Sequence, residues 1–207
     1  MSGTDFVLVR HGETQWHAEN RYAGSSDIAL TPLGLEQAGQ LAQWAAHARP
    51  TLVVSSDLRR AVRTAEPAAA AAGVALRVVP DLREVHFGRG EGLTQREMAV
   101  EFPDALARFR AAPASSPLPE AESGIEAAER AVTALRTVRA EREGELVLVV
   151  AHSTLIRLVL CRLLGIPMDA YRRVFPAVHN VALTTVRLDD RGAALLAYNV
   201  APPRAAG

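Results

Sequence analysis

The chain has 207 residues, 49% of them hydrophobic and 22% charged, which suits one sizeable core and excludes a largely disordered protein. Its 23 basic residues balance 23 acidic ones, so no basic excess marks a nucleic-acid or anionic-membrane partner. All 23 basic residues are Arg; that removes Schiff-base and P-loop lysines and leaves any anion site to the planar guanidinium fork.

The start, Met1-Ser2-Gly3-Thr4-Asp5, lacks the basic and apolar pattern of a secretory leader. No segment approaches the roughly 20 apolar residues of a membrane span, so the expected location is the cytoplasm. The apolar run 6–9 predicts a strand buried in a parallel sheet. Thr31 and Pro32 then open a helix with apolar spacing through Leu41 and Trp44. Residues 52–54 form a weaker strand candidate. Asp57 is expected to cap a helix running through the Ala-rich stretch to Ala72, ended by Gly73. Residues 76–79 are a second weak strand, 112–119 a Pro/Ser-rich loop and 126–143 a helix. The run 146–150 is another buried strand, followed by a helix capped by Ser153 that carries Leu155, Ile156, Leu158, Val159 and Leu163. Cys161, the only cysteine, falls in its apolar face, excluding an internal disulfide and thiolate-rich metal sites. Runs 182–186 and 195–198 read as a late pair of strands joined by the turn Asp189-Asp190-Arg191-Gly192. Strands alternating with helices predict an α/β fold with a mostly parallel sheet.

In such sheets ligands gather at the carboxyl ends of the strands. His11 directly follows the first strand and His152 the long apolar one, so both are expected on the same rim. Phosphoryl transfer needs a nucleophile, positive charge around three equatorial oxygens and a proton for the leaving group. His11 can attack as a neutral imidazole, Arg10 beside it opposes a second positive charge, and Gly12 lets the backbone pass close to a phosphate. Taken singly, each of these residues also has a purely structural reading.

Taken together they form a pattern. The run Leu8-Val9-Arg10-His11-Gly12-Glu13-Thr14 resembles the signature of the histidine phosphatase superfamily, which includes cofactor-dependent phosphoglycerate mutases. The likeness continues through Asn20-Arg21-Tyr22-Ala23-Gly24, 30–38, 55–65, and Leu82-Arg83-Glu84-Val85-His86-Phe87-Gly88 with Glu91-Gly92. It ends in 150–157, around His152. This resemblance implies a single catalytic domain over 1–207, a three-layer α/β/α sandwich with a lid-like helical and loop insertion at about 92–123. It implies that His11 is phosphorylated, that Arg10, Arg60 and His152 hold the phosphoryl oxygens, and that Glu84 exchanges the proton. It implies neither cofactor nor metal. The expected ligand is a small phosphorylated metabolite, a sugar or acid phosphate, walled by Asn20, Arg21, Tyr22, Gly24 and Arg89. A homo-oligomer is left open.

Three positions depart from the family pattern. His17 stands where many members carry an Asn that meets the phosphate, and could donate in its place. Arg89 stands where many have Trp. Ser153-Thr154 replaces two glycines common in the mutases, and Ser153 could still face the phosphate at a helix N-terminus. Mutases usually carry a longer insertion between proton donor and second histidine, so the short interval from Glu84 to His152 favours a hydrolase, with the mutase as alternative. Two other classes stay open: a metal hydrolase using His11, Glu13 and His17 with His86 or His179, and a non-catalytic phosphate-binding module.

Overall fold

A computed structural model describes residues 3–203. In chain order, β1 (Thr4–Arg10) leads to α1 (Pro32–Ala48), β2 (Leu52–Ser55), α2 (Arg59–Ala72) and β3 (Leu76–Val78). The middle of the chain forms α3 (Gln95–Glu101), α4 (Pro103–Ala111) and α5 (Gly124–Glu141). It continues through β4 (Leu146–Ala151), α6 (Ser153–Leu164), α7 (Tyr171–Val174), β5 (Leu183–Asp189) and β6 (Gly192–Val200). The strands form one six-stranded sheet in the order β3-β2-β4-β1-β5-β6. The first four are mutually parallel; β5 pairs antiparallel with β1, and β6 antiparallel with β5.

Alternation along the strands explains the layers, because successive side chains point to opposite faces. Phe6 and Leu8 of β1, with Val147 and Val149 of β4, pack into a core with α5 and α6. Val7 and Val9, with Leu148 and Val150, face a second core built from Leu41 and Ala45 of α1 and four alanines of α2. Both strands are apolar on both faces because helices cover both. The result is a three-layer α/β/α sandwich around a mostly parallel sheet. Cys161 is fully buried in the first of these cores.

Helix ends follow local chemistry, with three shifts from expectation. Thr31 caps α1 as predicted, its hydroxyl accepting from the Gly34 N–H at 3.0 Å. Asp57 does not cap α2, whose N-cap is Leu58; the Asp57 carboxylate is instead paired with Arg83. The helix expected at 126–143 begins earlier, at Gly124, because Ser123 and Glu126 close a reciprocal capping box. Likewise His152, not Ser153, is the N-cap of α6, and Ser153 is its first helical residue. Within the expected insertion, α3 and α4 carry the helical part, and 112–119 is irregular as predicted. Gly73 ends α2 in the left-handed conformation at φ 69°.

Connectivity decides where a ligand fits. From β1 the chain passes through α1 to β2, beyond β4; from β4 it passes through α6 and α7 to β5, beyond β1. The paths diverge at the carboxyl ends of β1 and β4, which opens a crevice there.

Candidate active site

The register of the two central strands sets Arg10 opposite Ala151, and the His11 N–H donates to the Ala151 carbonyl at 3.0 Å. His11 and His152, 141 positions apart in sequence, therefore leave adjacent strands side by side, their ring centroids 5.2 Å apart. Both are buried.

His11 Nδ1 lies 2.7 Å from the Gly12 carbonyl oxygen. A carbonyl only accepts, so Nδ1 carries the proton and Nε2 keeps a free lone pair. Burial holds the imidazole well below its ordinary pKa, and the charges of His152, Arg60 and Arg10 add to the effect. Gly12 earns its place differently from the expected phosphate contact. A Cβ there would lie 2.5 Å from the Gly34 carbonyl oxygen, so the chain passes tightly under the start of α1. Its N–H donates to Thr64 Oγ1 at 3.0 Å.

Three cationic or donor side chains surround His11. Arg10 donates through Nη1 to the Val178 carbonyl at 2.9 Å, and its Nη2 lies 2.6 Å from His17 Nε2. Burial lowers its pKa to about 10. Arg60, at the first turn of α2, is 1% exposed and grips the loop before α1 by its carbonyls: Nη1 to Ser26 at 2.8 Å, Nη2 to Gly24 at 2.7 Å. His152 meets Ser56 Oγ through Nε2 at 2.7 Å. After these bonds, Arg10 Nε, Arg60 Nε and His152 Nδ1 remain buried without a protein partner; they are three of five such side-chain atoms among the described residues. Buried polar atoms are normally satisfied, so this concentration around one histidine marks a place for an absent acceptor.

Glu84 supplies the carboxylate. Its Oε1 accepts from the Val85 and Leu155 N–H groups and its Oε2 from Thr154, each at 2.9 Å. Two of those donors are main-chain N–H groups at the start of α6, which have no partner within the helix. Burial lowers the pKa of His17 to about 4, with Arg10 adding to the effect, so it is neutral near pH 7. Its Nδ1 accepts from the Thr14 N–H at 3.1 Å, which places the proton of the neutral ring on Nε2, the nitrogen beside Arg10.

A cavity of about 560 Å³ opens over this group. Arg10, His11, His17, Glu84, Ser153, Asn20, Arg21 and Tyr22 line it, all named from sequence. Arg60 and His152, also named from sequence, do not line it. Gly24 and Arg89 do not reach the cavity. Gly24 is packed so that a Cβ would lie 2.3 Å from Glu91 Oε1; Arg89 lies over the Phe102 ring at 5.7 Å. Sequence reasoning missed Trp16, Phe87, Thr94, Gln95, Arg157 and Arg172 in the wall. Arg157, five residues after His152 at the head of a helix, carried a readable signal; Arg172, from the separate helix α7, carried none. For a metal, Glu13 is taken by Thr31 Oγ1 at 2.9 Å. No group of three His, Cys, Asp or Glu side chains among the described residues is placed to hold an ion. Nor is any described helix long and apolar enough to cross a membrane.

Comparison with known proteins places this geometry. Residues 6–201 match the family described as histidine phosphatase superfamily (branch 1). The chain is 36% identical over 167 residues to a probable phosphoglycerate mutase of Escherichia fergusonii, covering 81% of this chain and 78% of that one. It is 37% identical over 163 residues to a metal-independent phosphoserine phosphatase of Arabidopsis thaliana, covering 77% and 68%. A mycobacterial glucosyl-3-phosphoglycerate phosphatase structure superposes with a TM-score of 0.87 at 29% identity, covering 96% of this chain and 99% of that one. The fold is thus shared with phosphatases along nearly its whole length. The chain belongs to the histidine phosphatase superfamily, and it is a phosphatase enzyme.

Proposed function

We propose that the enzyme hydrolyses a small phosphorylated sugar or acid in the cytoplasm through a phosphohistidine on His11. The observation that carries this reading is a neutral His11 with a free Nε2, beside His152 and the charges of Arg10 and Arg60, while Arg10 Nε, Arg60 Nε and His152 Nδ1 have no protein partner. Nε2 attacks phosphorus as the bond to the leaving oxygen breaks. The two guanidinium groups and His152 stabilise charge on the equatorial oxygens. Glu84 gives its proton to the leaving oxygen. It then takes one from water as that water attacks phosphorus and the P–N pair returns to Nε2. Every step uses side chains of this protein, so neither metal nor cofactor is required, and no nucleic acid or membrane partner is invoked. The lone, buried Cys161 leaves no disulfide that needs an oxidising compartment.

The test is a phosphate-release screen across small phosphomonoesters with His11→Ala as the blank. Wild type should release phosphate and yield acid-labile phosphate on His11; His11→Ala should lose activity by about 10³-fold or more. Equal activity in His11→Ala would reject the mechanism.

Similarity to a probable phosphoglycerate mutase supports a second reading, phosphate transfer between positions of a phosphoglycerate. Rapid interconversion of 2- and 3-phosphoglycerate with a bisphosphoglycerate primer, and little free phosphate, would establish it in place of hydrolysis.

A further inference from the structure

Phosphoryl binding accounts for Arg10 and Arg60 but not for Arg157 and Arg172 of the cavity wall. Arg157 on α6 and Arg172 on α7 both line the cavity that contains His11. Arg157 donates through Nε to the Ser153 carbonyl at 3.0 Å, one helical turn back, which turns its guanidinium toward the head of α6. Its Cζ lies 4.9 Å from the centroid of the buried Tyr171 ring. Arg172 is held from several directions. Its Nε donates to Tyr171 Oη at 2.9 Å, and its Cζ lies 4.7 Å from the Phe109 centroid and 5.4 Å from that of Tyr171.

Stacking on aromatic faces fixes both guanidinium planes before any ligand arrives. Neither arginine makes an ion pair with a described acid, and no Nη atom of either has a described protein partner. The contrast within the same cavity is Arg21, whose guanidinium is consumed by Glu19, Glu97 and the Gly92 carbonyl. Among the described residues the only carboxylate lining the cavity is Glu84, itself taken by three main-chain donors. Two pre-oriented forks with unused donors therefore face a space larger than one phosphoryl group needs.

We propose that Arg157 and Arg172 form a second anion subsite, and that the substrate is a phosphomonoester carrying a carboxylate away from its phosphate. A carboxylate accepts the parallel N–H pair that each fork presents. Phosphates of neutral sugars lack that second acceptor and leave the two cations without a counter-charge. This inference rests on the hydrolase reading above and narrows its substrate class.

The experiment compares phosphate release from 3-phosphoglycerate and from glycerol 3-phosphate, which differ by a carboxylate against a hydroxymethyl group. It uses wild type, R157Q, R172Q and the charge-retaining R172K. Wild type should prefer 3-phosphoglycerate by about 10- to 100-fold in kcat/KM, the range of one or two charge-assisted hydrogen bonds. In R157Q and R172Q this ratio should fall toward one, through KM for 3-phosphoglycerate; R172K should fall between. Melting midpoints near that of wild type separate this effect from lost folding. No preference in wild type, or equal losses for both esters in the variants, would overturn the subsite while leaving the hydrolase reading standing. No release from any phosphomonoester, with 2- and 3-phosphoglycerate interconverted instead, would overturn the hydrolase reading and support the carboxylate subsite, since both esters carry a carboxylate.

Discussion

His11 owes its neutral, single-tautomer state to two neighbours in sequence and one across the sheet. Gly12 fixes the tautomer through its carbonyl, Arg10 adds positive charge, and His152 closes the far side. With its pKa held well below 6.5, the ring stays neutral where an ordinary histidine would be largely protonated. An NMR titration should therefore show His11 with neutral-imidazole shifts down to about pH 6; a midpoint at the ordinary histidine value would contradict the electrostatics described. Glu84 makes a different prediction. If it protonates the leaving oxygen, Glu84→Gln should slow hydrolysis of an alkyl phosphate by about 10²- to 10⁴-fold. p-Nitrophenyl phosphate, whose leaving group needs no proton, should lose far less. Comparing the two esters cancels the structural cost of altering a group that accepts three main-chain bonds, and equal losses would remove Glu84 from proton transfer.

At the scale of elements, the loop from Ala23 to Ser26 links the site to a carboxylate outside it. Glu91 accepts from the Ser25 and Ser26 N–H groups at 2.8 and 3.0 Å, and the carbonyls of Gly24 and Ser26 accept from Arg60. Gly24 lies at the tightest point, where a Cβ would be 2.5 Å from the Val85 carbonyl oxygen as well as against Glu91. Gly24→Ala should push the loop off Glu91 and release Arg60. Expected results are a fall in kcat/KM of about tenfold or more and a stability loss of about 1–3 kcal/mol by denaturant unfolding. Unchanged kinetics would mean that Arg60 does not depend on this loop for its position. Gly24 was expected as a substrate contact; its motif marks it equally well as a packing glycine, and only the fold distinguishes the two.

For the whole molecule, three histidines are folded in neutral form, and linkage sets the sign of the consequence. His11, His152 and His17 all have folded pKa values below the ordinary 6.5. The unfolded chain therefore binds more protons below that pH, and stability falls as pH drops from 6.5. The part due to His17 is spread down to about 4. Urea midpoints should decline steadily across this window and stay level just above it. A flat profile from 6.5 to about 4 would contradict the buried-neutral description.

Much of this was legible in order along the chain. The apolar runs at 6–9 and 146–150 became β1 and β4, the late pair became the antiparallel β5 and β6, and Arg10, His11, Glu84 and His152 converge. Each signal is local, since a doubly covered strand must be apolar on both faces and a motif keeps its residues adjacent. The remainder depended on distant segments meeting. Asp57 was drawn from its helix by Arg83, and Arg89 was turned onto Phe102 instead of the cavity. His17 faces Arg10 because a short 3₁₀ turn returns it to the end of β1. Arg157 and Arg172 became neighbours only because α6 meets α7, whose Tyr171 ring both guanidiniums face. By itself the sequence determined the strands, the family and the histidine that follows the first strand; tertiary structure decided which charges remain unpaired around it, because pairing depends on distances between segments that no local pattern encodes.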